Sequence, residues 1–143
     1  MTDHIDHMKG LHTAAVDARN GYEEALKDAE GKGLTPLFRE MIALHQSHAD
    51  ALAADLIRHG EKVDDEGSFL STVHRTVISI RALFGGLDDS ILPGLIDGEE
   101  RVVDYYDEAL DDCPHAEKAT LAKQRAALQD RIAKMKAQKS VAA

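Results

Sequence analysis

The sequence predicts an all-α fold: an antiparallel four-helix bundle with a shorter extra helix in the crossover connection. Three observations carry this. Strand signals are nearly absent, apolar residues recur at spacings of three and four, and glycines and prolines cut the 143 residues into four long segments and one short one. Tryptophan is absent and aromatics are only 4%, so the core falls to Leu, Ile, Val, Ala and Met, a palette suited to packed helices. A chain of this length is expected to form a single domain over residues 1–143.

The first helix is expected at about 3–29, with a seam of Ile5, Met8, His12, Ala15, Arg19, Tyr22 and Leu26. "EGKG" ends it, since glycine accepts a left-handed cap. Thr35 and Pro36 then start a second helix over 36–59, the threonine as N-cap and the proline in the first turn. Its seam is Phe38, Met41, His45, His48, Leu52 and Leu56, and Gly60 closes it. After the acidic loop "EKVDDEGS", Ser68 caps the short helix at 68–84, striped by Phe69, Val73, Val77, Ile80 and Phe84. "GGLDDS" breaks that segment.

The next long helix spans about 90–111, starting near Ser90 with Pro93 in its first turn. Its seam reads Leu92, Leu95, Ile96, Glu99, Val103, Tyr106 and Leu110. Gly94 and Gly98 leave one face open to a close neighbour, which together with the 69–84 stripe suggests a homodimer. "CP" at 113–114 restarts the chain for a last helix over 114–138, with Leu121, Arg125, Leu128, Ile132 and Met135 inside and a tail that frays. Short links within each pair make two hairpins, and the long link between them is the crossover.

Charge narrows the partners. The net charge of −9 repels phosphate backbones, so no nucleic-acid partner is expected. No run approaches the ~20 apolar residues that span a bilayer, so no membrane partner is expected either. No secretory signal is visible at the start, and the cytoplasm is the expected compartment. From Pro114 onward seven basic residues face two acidic ones, a surplus expected to fold back onto the acidic body. The single cysteine, Cys113, excludes an internal disulfide and reads as an inert loop thiol.

Function has to be sought in the polar residues that interrupt the seams, because a buried polar group must be satisfied. They are His12, Arg19 and Tyr22 on the first helix, His45 and His48 on the second, Glu99 and Tyr106 on the next, and Arg125 on the last. Counting back from the hairpin turns places Arg19 and Tyr22 opposite His45 and His48, and Glu99 opposite Arg125. Three readings follow. One is a core polar network in which Glu99 pairs with Arg125 or Arg19. Another is a single Fe or Zn ion on His45, His48 and Glu99, joined by Glu23, against a default of no cofactor. The third is a pH-sensitive core, with the histidines' pKa values depressed by the arginines. Elsewhere, His4 and His7 read as an exposed first turn, His74 as a helix edge, and His59 and His115 as helix-end residues.

"NGYEEAL", "LFREMIALHQSHADAL" and "ILPGLIDGEERVVDYYDEAL" resemble bacterial ferritin-like proteins of the domain of unknown function 2383, over roughly residues 3–112. The resemblance implies a bundle of the ferritin and rubrerythrin superfamily, many of whose members bind two irons mid-bundle, and a stress-related setting. It carries no established activity. The superfamily site takes a Glu from each of two helices and a Glu-x-x-His from each of the other two. Here His45 stands where the bridging glutamate belongs, Glu99 matches a lone glutamate, and the last helix has no Glu-x-x-His. Arginines cannot ligate a cation. The expected role is therefore a binding or structural module, not an enzyme, with metal-dependent redox or iron handling as the alternative.

Overall fold

The computed structural model describes residues 2–29, 35–63 and 92–142. They form four helices: α1 (Thr2–Ala29), α2 (Thr35–Arg58), α3 (Leu92–Asp111) and α4 (His115–Ala142). The architecture is an all-α four-helix bundle. The expected helix at 68–84 with its stripe and His74, the glycine stop at 30–33 and the start at Ser90 lie outside the described residues. Ends agree with expectation to within a residue or two, except that α4 is helical through the tail expected to fray.

Polar contacts between the elements show how they are arranged. His7 of α1 meets Asp112 just beyond α3, and Glu40 of α2 meets Arg131 of α4. The starts of α1 and α4 therefore share one end of the bundle with the finishes of α2 and α3. α3 starts at the opposite end from where α2 stops, the relation that a crossover requires. Basic residues of α4 do fold back onto acidic ones: Arg125 pairs with Asp107 at 2.6 Å and Lys136 with Glu100 at 3.2 Å.

The main apolar cluster of the core is fed by all four helices, including Met8, Phe38, Met41, Leu52, Leu92, Leu121, Leu128 and Met135, and Ala15, Val16 and Ala49 form a second, smaller one between α1 and α2. The seams of α2 and α3 are as expected, apart from Ala109 standing in for Leu110. Those of α1 and α4 are as expected at Met8, His12, Ala15 and Tyr22 and at Leu121, Leu128, Ile132 and Met135, and are shifted by one residue at the rest. On α1 the buried residues are His4, Met8, Leu11, His12, Ala15, Val16, Tyr22 and Ala25, with Ala18 packed against them; Ile5, Arg19 and Leu26 lie at the half-buried margin. On α4 Gln124 is buried and Arg125 is not. The reason is steric and electrostatic together. One step along a helix turns the side chain by about 100°, and small alanines let neighbours approach while the arginine heads stay hydrated.

Gly60 ends α2 with φ +81°. Its N–H donates to Ile57 at 2.9 Å, and that of Glu61 to Leu56 at 3.0 Å, a Schellman motif that fixes His59 as the capping residue. Gly98 has open space around it and Gly94 is exposed, so no described helix covers that face.

Candidate functional site

Midway along the bundle, polar side chains converge. Tyr22 from α1 donates its hydroxyl hydrogen to Oε1 of Glu99 on α3 at 2.8 Å. His45 from α2 places Nε2 on the same oxygen at 2.9 Å. The Tyr22 and His45 rings stack, 5.9 Å apart and 18° from parallel, and the Phe38 ring packs against the tyrosine at 5.5 Å, tilted by 60°. A second branch follows. His48 meets His45 edge-on at 6.5 Å and Tyr106 at 6.3 Å, and Tyr106 donates to Gln124 of α4 at 2.6 Å. All of these groups are buried.

Burial governs their protonation. It pushes the Tyr22 phenol well above its ordinary value, assisted by the charge of Glu99, and raises Tyr106 for the same two reasons. His48 is held down to about 4, first by burial and then by His45, with Glu99 opposing. The arginines expected to depress the histidines play no part in that shift.

Glu99 pairs with neither arginine, contrary to expectation. Arg19 donates to Gln46 at 2.8 Å and to Asn20, while Arg125 turns outward to Asp107. Glu23 is exposed, one step round the helix from Tyr22, and His12 is buried. His45, His48 and Glu99 come together in the core, yet His48 makes ring contacts rather than converging on Glu99 with His45.

The shared end of the bundle holds a cluster that sequence reasoning missed. Glu117, in the first turn of α4, places Oε2 2.6 Å from Nε2 of His4 and Oε1 2.6 Å from Nε2 of His59. Among the described residues, these three alone form a group of His, Cys, Asp or Glu ligand atoms all within 4.8 Å of one another. His4, expected to be exposed, is 2% exposed. Burial alone would raise the Glu117 carboxyl, but the bonds from His59 and His4 and their charge hold it below the usual range. The signal was available. In a pair of antiparallel hairpins, positions 4, 59 and 117 all lie beside helix ends.

The family model for a domain of unknown function, DUF2383, matches residues 3–112. The chain belongs to that family. Neither curated proteins nor solved structures gave a match. The DUF2383 match takes in α1, α2 and α3 and stops before α4, so His4, His59 and Glu99 fall inside it while Gln124 and Glu117 lie beyond. The described core of this DUF2383 chain does not fit a two-iron centre, which needs four carboxylates beside its histidines. Among the described residues Glu99 is the one buried carboxylate at mid-bundle, and its Oε1 is already shared by a phenol and an imidazole. No helix among the described residues is long and apolar enough to cross a membrane.

Proposed function

We propose that this DUF2383 chain is a binding or structural module, not an enzyme: a ferritin-like bundle whose mid-bundle level has become a hydrogen-bonded polar core. The observation that supports it is the engagement of Glu99 Oε1 by both Tyr22 and His45. Such a core specifies which helix faces meet, because any other rotation leaves buried polar groups unpaired. Tyr22→Phe, Glu99→Gln and the double variant test this in urea unfolding. A coupling of about 1–2 kcal/mol is expected between the two sites, with added Fe(II) oxidised no faster than in buffer. Catalytic oxidation by the wild type that Glu99→Gln removes overturns the reading.

A second reading, a single Fe or Zn ion on His45, His48 and Glu99, has its own observation: His48 Nδ1 and Glu99 Oε2 are buried with no hydrogen-bond partner. It requires about one metal equivalent in untagged protein, lost in His48→Ala. Self-association through the open Gly94/Gly98 face is tested by sedimentation, where a concentration-independent monomer removes it.

A further inference from the structure

We propose that His4, His59 and Glu117 form a binding site for one divalent transition-metal ion, with zinc the best fit. The proposal is independent of the mid-bundle readings: 18 positions of α1 separate His4 from Tyr22, which is about 27 Å at the helical rise.

Donor chemistry comes first. Two imidazole nitrogens and one carboxylate oxygen suit Zn²⁺, and a set of three protein ligands leaves a position for water or a small exchangeable ligand. Calcium and magnesium prefer oxygen donors and are disfavoured here.

Geometry comes second. The ligand atoms lie within 4.8 Å of one another, and each histidine nitrogen is 2.6 Å from one oxygen of the same carboxylate. A tetrahedral zinc with bonds of about 2.0–2.1 Å holds its ligands roughly 3.3 Å apart. Opening the cluster by less than about 1 Å therefore admits the ion, and side-chain rotation supplies that. The ligands sit on firm backbone: His4 within α1, His59 at the Schellman cap, and Glu117 in the first turn of α4.

Access and field come third. Alongside lies a cleft of about 400 Å³ lined by His4, Ile5, Lys9, His59, Glu61 and Pro114, among others. The His59 side chain is 33% exposed, while His4 is buried, so an ion enters from the His59 side. Lys9, the cation of the cleft wall, is held by Glu61 at 2.6 Å. Asp6 on the wall and Asp112 nearby add negative charge on a chain of net charge −9. The field favours a cation.

Equilibrium dialysis of untagged protein against Zn²⁺, with metal analysis, tests the site. About one equivalent is expected in the wild type, with affinity falling at least a hundredfold in His59→Ala and in Glu117→Gln, beyond the 10–100-fold cost of disturbing outer-shell partners. His59→Ala changes an exposed capping position, and circular dichroism confirms its fold. Co²⁺ substitution should give the visible bands of a tetrahedral site in the wild type and not in His59→Ala. A wild type that binds no zinc overturns the proposal. So does an equivalent that survives in His59→Ala, or one lost only in His48→Ala.

Discussion

Tyr106 donates its hydroxyl hydrogen to Gln124 at 2.6 Å, joining α3 to α4 deep in the bundle, while the adjacent Arg125 points outward to Asp107. This contrast fixes an energetic order. Gln124→Ala leaves a buried phenol without its acceptor and should cost about 1–3 kcal/mol. Arg125→Ala removes a half-exposed ion pair and should cost less than about 1 kcal/mol. Urea unfolding of the two variants measures both. A larger loss in Arg125→Ala would refute the assignment of Gln124 to the core.

Acid should weaken the fold through His48. Its folded pKa is about 4 against an ordinary 6.5, so the native state holds it neutral while the unfolded chain takes up a proton. Its contribution is fully present above pH 6.5, declines as pH falls, and is gone below about pH 4. Over that window the loss is of order 3 kcal/mol. Unfolding series on the wild type and His48→Gln should diverge between pH 7 and pH 4, with the wild type steeper; parallel curves would show that His48 does not drive the effect.

Gly60→Ala should destabilise through the backbone alone. An added methyl meets nothing within 4 Å, but φ of +81° is costly for an L side chain. The expected loss is about 1–2 kcal/mol, accompanied by weaker zinc retention because His59 is the residue this cap positions. Thermal melts and dialysis read the two effects separately. An unchanged melt would remove the Schellman cap as the cause.

Cys113 should react slowly. It is buried, its Sγ–H reaches the carbonyl of Pro114 at 3.3 Å, and burial followed by the charge of Glu117 pushes its thiol pKa up. Maleimide labelling at neutral pH should be slow in the native protein and fast in urea. Equal rates would mean the loop opens freely.

The helices themselves were legible in the sequence because glycine and proline mark their ends and the apolar spacing is helical throughout. So were the seams of α2 and α3, where large apolar residues alternate cleanly with charge. On α1 two adjacent stripes compete: Ile5 and Leu26 belong to one, His4 and Ala25 to the other. Side-chain size favoured the first and packing chose the second. Arg19 and Arg125 were misread for the same reason, each lying one step from a residue that fits the interior better, Ala18 and Gln124. His45, Tyr22 and Glu99 were recognisable as polar interruptions of apolar seams, but their pairing needed the rotation of each helix. The His4, His59 and Glu117 cluster carries no local motif at all. Its members meet only because helix ends gather at one pole of the bundle.

That gathering bears on how the chain assembles. Each hairpin draws on neighbours close in sequence, whereas His4 and Glu117 are 113 positions apart and touch only when the two hairpins have docked. Contacts of such long range form after local ones, because closing the intervening chain costs entropy that they must offset. The three side chains therefore act as a latch on the finished topology, closing last in folding and opening first when the hairpins part.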